Sequence, residues 1–115
     1  MSRKHRKRTA VRPKAHAPVF AALGDETRLA LVARLAEGRP RSITQLARGS
    51  RITRQAITKH LRVLESAGMV RHARRGRESR YELDPRPFAG MKQYLEFVSG
   101  QWDEALGRLK SFVEG

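Results

Sequence analysis

Between Thr53 and Arg62 the chain reads TRQAITKHLR, a stretch dense in side chains that can exchange hydrogen bonds with nucleic acid. An arginine offers two parallel donors to the N7 and O6 edge of guanine, and a glutamine offers the donor and acceptor pair that fits adenine. Arg54 and Gln55 are therefore the first candidates for reading bases, with Thr58 and Lys59 next, while Thr53, His60 and Arg62 are candidates for holding phosphates. A second basic group, Arg74, Arg75, Arg77 and Arg80, is gathered about Gly76 and could reach phosphates or a narrow minor groove. No comparable constellation exists for catalysis. The serines from Ser42 to Ser111 lack a glycine-framed nucleophile pattern, no phosphate-cradling loop occurs, and the acidic neighbours Asp25/Glu26 and Asp103/Glu104 would point apart on a helix. The sequence contains no cysteine, which excludes a disulfide framework, a thiolate metal site and a cysteine nucleophile. His5, His16, His60 and His72 share no ligand spacing, so neither a metal nor any other cofactor is expected, and the chain does not read as an enzyme.

The charge balance supports a polyanionic partner. Among 115 residues, 25 are Lys or Arg and 11 are Asp or Glu, giving a net charge of +14. That charge is concentrated: residues 1–16 carry +7 and residues 39–80 carry +10, whereas the remaining stretches are slightly acidic. A positive block that also has apolar periodicity describes a folded binding surface, and double-stranded DNA becomes the leading partner. No run of 18 apolar residues is present, so no membrane span is expected, and the positive amino terminus lacks the apolar stretch of a secretory signal. A cytoplasmic location follows as the expectation.

These side chains need elements to hold them. Residues 1–17, with RKHRKR and little that is apolar, read as a disordered basic arm; residues 18–115 read as one domain. From Val19, Phe20 and Leu23 mark a short helix broken by Gly24. Asp25 then caps a second helix whose apolar positions Leu29, Leu31, Val32, Leu35 and Ala36 keep helical spacing. Ser42 and Gln45 form the S-x-x-Q pattern of a capping box at the head of a two-turn helix. Thr53 caps the next, which runs to Ala67 with Ala56, Ile57, Leu61 and Leu64 on its inner stripe, and Gly68 stops it. Met69–Arg74 and Ser79–Leu83 read as a β-hairpin with Gly76 near its tip.

The last segment, residues 87–113, has the strongest period. Phe88, Leu95, Trp102 and Leu109 recur every seven residues, and Met91, Val98, Ala105 and Phe112 form a second series offset by three. Such a and d positions predict a helix that pairs with its copy in a second chain, with Phe20 and Leu23 joining the interface. Gly100 and Gly107 lower its intrinsic helicity, so it would depend on that packing.

Two helices joined by a tight turn and followed by a basic hairpin define a mainly α fold with a small β wing, a winged helix-turn-helix dimerising through terminal helices. The order of LGDETRLALVARL, SITQLA, ITRQAITKHLRVLESAGMV and RRGRESRYELD resembles the ArsR/SmtB family of winged helix-turn-helix repressors over about residues 19–113. The resemblance implies a homodimeric bacterial DNA-binding regulator, usually a repressor on an inverted repeat, with Arg54, Gln55, Thr58 and Lys59 in the reader's DNA-contacting positions. It departs from the metal-sensing members. Ordinary residues Ile43–Leu46 stand where those carry a cysteine pair, and the last helix has Glu96, Asp103, Glu104 and Glu114 but no histidine. A sequence-specific regulator is thus expected; a nonspecific architectural DNA-binding protein is the alternative that the high charge leaves open.

Overall fold

A computed structural model describes residues 12–114 of the chain. Helix α1 spans Pro13–Leu23 and α2 spans Glu26–Leu35; strand β1 is Arg41–Ser42; α3 spans Ile43–Ala47 and α4 spans Arg54–Ser66; strands β2 and β3 are Val70–Arg75 and Glu78–Leu83; α5 spans Pro85–Glu114.

Local chemistry accounts for most of these boundaries. The Asp25 carboxylate accepts from the Arg28 amide at 3.0 Å and starts α2. The capping box is formed: the Ser42 amide donates to Gln45 Oε1 at 2.9 Å and the Gln45 amide donates to Ser42 Oγ at 3.2 Å. Thr53 Oγ1 accepts from the Ala56 amide at 3.1 Å and opens α4. Gly68, at φ +77°, takes the left-handed turn that ends α4 and sends the chain into β2.

Two boundaries differ from the sequence reading. Residues 13–17, expected in the arm, form the first turns of α1. Pro13 sits at the start of the helix, where its missing N–H costs nothing, and His16 is buried with its ring stacked on Tyr94 of α5 at 4.8 Å. The rest of the expected arm, residues 1–11, lies outside the described residues. Helix α5 starts at Pro85, two residues before its expected start, because Asp84 caps it: its carboxylate accepts from the Arg86 amide at 3.0 Å and from Arg86 Nη2 at 2.6 Å.

The hairpin is joined by a third strand, in the order β1-β3-β2, all antiparallel. Arg41 pairs with Tyr81 and Ser42 with Arg80, while Arg75 faces Glu78 across the hairpin tip. The sequence reading had two strands; β1 is too short to carry an alternation of its own and exists through its partner β3.

Leu31, Leu35, Leu46, Ile57, Leu61, Leu64, Met69, Val70 and Tyr81 form the core, where α2, α3 and α4 meet the sheet. Ala22 of α1 and Met91 of α5 complete it. Leu29, assigned by spacing to the inner face of α2, is instead 53% exposed. Beyond Met91 the apolar stripe of α5 is largely uncovered, with Trp102 63% and Phe112 84% exposed.

Candidate nucleic-acid interface

Helix α4 has a completely buried side, Ile57, Leu61 and Leu64. At 3.6 residues per turn, the side opposite that stripe carries Gln55, Lys59 and Arg62, all exposed. These three project away from the domain body. Arg54 and Thr58 lie on a flank shared with Glu65, and Glu65 meets Nδ1 of His72 on β2, so this flank faces the wing. Thr58 is half-buried and its hydroxyl donates to the Arg54 carbonyl at 2.8 Å, which leaves only its lone pairs and methyl group for a partner. Thr53 serves the helix itself through its cap.

His60 falls on the opposite flank. Its Nδ1 lies 3.2 Å from Arg28 Nη1 and 3.8 Å from Asp25 Oδ2, so the imidazole is directed at the start of α2 and away from the exposed side of α4. Arg28 also donates through Nε to the Ala22 carbonyl, tying the end of α1, the start of α2 and the middle of α4 together. Arg34 does the same for α3, donating to the Leu46 carbonyl and, at 3.0 Å, to the Gln45 carbonyl. Two arginines of α2 thereby tie α3 and α4 to the same helix. Sequence reasoning gave neither a role, although Arg28 stood in plain view inside the DETRL motif.

On the wing, Arg74 Nε donates to the Gly76 carbonyl at 3.2 Å and braces the tip. Arg80 lies 3.7 Å from Glu78, and Arg71 is paired with Glu82 at 3.1 Å. Arg75 and Arg77 are exposed and have no ion-pair partner among the described residues, which is equally true of Arg54, Lys59 and Arg62. Cations without carboxylate partners, spread over α4 and the wing, form a surface whose compensating charge must come from outside.

The titrating groups that respond to their surroundings are structural. The Arg28 amide at the α2 cap, more than any other neighbour, holds the Asp25 carboxyl below its ordinary range. Hydrogen bonds from the Arg86 side chain, then from its amide, hold Asp84 at about 2, and the same contact pushes Arg86 up. Burial, followed by the nearby Glu65 charge, raises the Tyr81 phenol. Among the described residues no three His, Asp or Glu side chains are grouped to hold an ion, and His16, His60 and His72 pack against Tyr94, Arg28 and Glu65 respectively.

On the other side of the molecule, Phe20 and Leu23 of α1 with Phe88, Met91 and Leu95 of α5 line an apolar groove of about 420 Å³. Val98, Trp102, Leu109 and Phe112 continue that stripe along α5, Val98 half-buried and the others exposed.

Residues 23–73 match the helix-turn-helix domain family. The chain is 40% identical to the HTH-type transcriptional regulator Rv2034 of Mycobacterium tuberculosis over 85 residues, covering 74% of this chain and 76% of that protein. Among solved structures, an ArsR-like transcriptional regulator from Rhodococcus sp. RHA1 superposes with a TM-score of 0.73 and 37% identity, over 85% of this chain and 89% of that one. The homodimeric winged helix-turn-helix DNA-binding domain of Mb0332 from Mycobacterium bovis, a possible ArsR-family regulator, gives a TM-score of 0.59 at 25% identity, over 74% of this chain and 78% of that one. With the reader helix, the three-stranded wing and the order of elements all in agreement, the chain belongs to the ArsR family of winged helix-turn-helix transcriptional regulators.

Proposed function

We propose that the protein is a homodimeric, sequence-specific repressor that occupies an inverted repeat in double-stranded DNA. The observation that carries this reading is the exposed side of α4, where Gln55, Lys59 and Arg62 stand clear of the body without ion-pair partners. A helix presented in this way fits the major groove, about 12 Å wide, with Gln55 and Lys59 reaching base edges and Arg62 a phosphate. Arg74, Arg75, Arg77 and Arg80 would follow the backbone or the neighbouring minor groove. His60, directed at α2, would act by holding α4 in place.

Dimerisation is supported by the apolar groove between α1 and α5 and by the exposed stripe that continues it, and the Mycobacterium bovis relative is a homodimer. Two readers related by a twofold axis require a palindromic site. Repression then needs only tight occupancy of that site. The test is selection from a random duplex pool at two salt concentrations. The expected product is an inverted repeat with half-sites about one helical turn apart. Recovery of no consensus would overturn this reading in favour of a nonspecific architectural protein, the behaviour its net charge of +14 would otherwise suggest.

A further inference from the structure

We infer that the cleft between the wing tip, the start of α3 and the start of α4 is a seat for one DNA backbone phosphate in each half-site, held jointly by Arg54 and Arg77. Arg54 then grips the backbone and does not read a base. The inference rests on the DNA-binding reading above and adds the ligand of this cleft.

The cleft measures about 230 Å³, and its polar lining comes from Ser42 of β1, Thr44 of α3, Arg54 of α4, and Arg77, Glu78 and Ser79 of the wing. It is smaller than the pockets of about 300–1,000 Å³ that enclose organic ligands. Two arginines, Arg54 and Arg77, border one small space. Like charges so placed repel, and neither has a carboxylate within ion-pair distance among the described residues. The only acid in the lining, Glu78, lies 3.7 Å from Arg80, which offsets its charge. A phosphate diester would supply the missing negative charge and accept from both planar forks, the geometry for which arginine is best suited. The Thr44 and Ser79 hydroxyls offer further donors.

The phase of α4 gives the second argument. Arg54 is the first residue of the helix and stands on its wing-facing flank, one step round from Gln55, which points outward with Lys59 and Arg62. A side chain on that flank follows the rim of the groove, where the backbone runs. No acid occupies the first turn of α4, so the helix dipole adds to the attraction for an anion there.

The experiment measures binding of the parent, Arg54→Ala, Arg77→Ala and the double variant to the selected operator and to random duplex. It is repeated on operators in which each phosphate of one half-site is replaced singly by an uncharged methylphosphonate. Each single variant should weaken binding to both DNAs about tenfold. Arg54→Ala should select the same consensus as the parent. At one shared methylphosphonate position, neither variant should lose anything beyond the parent's own loss. On random duplex, the salt slope of the double variant should fall by about 0.9 per bound protomer, the value for one phosphate; a fall of about 1.8 per protomer would mean two separate phosphates and overturn the shared seat. An altered consensus for Arg54→Ala, or methylphosphonate positions that differ between the two variants, would overturn it as well. Because the slope is read on random DNA, a parent that selects no consensus would defeat the sequence-specific reading while the slope still decides whether the cleft holds one phosphate.

Discussion

Gln55 and Arg54 are neighbours in the chain and yet lie on different faces of α4, since one step along a helix turns the side chain by about 100°, and on the proposed reading they would meet different parts of a bound duplex. Gln55 points straight out and has both a donor and an acceptor to offer. Gln55→Ala should therefore relax the preference at one base pair by about 1–3 kcal/mol and leave the random-DNA affinity and the salt slope unchanged. Competition binding against single-base operator variants measures this; equal losses on cognate and random DNA would show that Gln55 does not read. A different residue, Asp84, illustrates how a single carboxylate fixes where α5 begins. Its hydrogen bonds from Arg86 bring its titration from the ordinary 3.8 to about 2. A carboxyl lowered in the folded state binds its proton more weakly there than in the unfolded chain. The stabilisation is therefore complete above the ordinary carboxylate range and is lost as pH falls from about 4 towards about 2. Asp25, shifted in the same direction at the head of α2, adds to the same loss. In thermal melts the parent should decline across that window, and Asp84→Asn should melt lower at neutral pH and decline less steeply; parallel curves would remove Asp84 from this account.

At the level of elements, the wing hangs on a two-residue tip, Gly76 and Arg77, between the facing residues Arg75 and Glu78. Gly76 has φ +63°, in the left-handed region, while Arg77 does not, the pattern of a type II′ turn with glycine at its first central position. A β-branched residue there costs about 1–2 kcal/mol in backbone conformation alone. Nothing lies within 4 Å of a Cβ added at Gly76, so the effect is conformational and confined to the tip. Gly76→Val should displace Arg75 and Arg77 and weaken binding on all sequences alike, with the consensus and the packing of the core unaffected; a binding isotherm and a melt together decide it. The elements legible in the sequence are those with a local signature. Asp25, Ser42 with Gln45, and Thr53 each marked a helix start through a side chain that accepts a nearby amide, and Gly76 marked the hairpin. What escaped was set by distant partners. Strand β1 is two residues paired with Tyr81 some forty positions later, the first turns of α1 are held by the His16–Tyr94 stack, and His60 is turned inward by Arg28. The candidate site divides in the same way: which residues carry charge and hydrogen-bonding capacity was readable, whereas which flank of α4 faces the wing emerged only with the contact between Glu65 and His72.

For the whole molecule, the decisive feature is the imbalance of α5. Its 30 residues extend about 45 Å, and α1 covers only its first turns. Leu95 at 53%, Trp102 at 63%, Leu109 at 59% and Phe112 at 84% exposure lie along one side of it. An isolated chain would keep this stripe in water, next to an apolar groove that begins at Phe20 and Leu23. Gly100 and Gly107, both with open space around them, reduce the helix's intrinsic stability just where a single chain offers nothing to pack against. In the proposed dimer a second copy would cover the stripe and, through the same contact, fix the spacing of the two reader helices. Trp102 is the test position because it is the largest side chain of the exposed seam, and an aspartate there would have to be desolvated for the helices to meet. Sedimentation at micromolar concentration should show the parent as a dimer and Trp102→Asp as a monomer that still melts cooperatively, its far-ultraviolet helix signal lowered at most by the unpaired end of α5. Its affinity for the full inverted repeat should fall to that for an isolated half-site, since the second reader is no longer delivered at high effective concentration, while half-site affinity stays the same. A variant that remains dimeric would place the seam elsewhere, and a monomer that still favours the full repeat over the half-site would show that the readers cooperate through the DNA and not through α5.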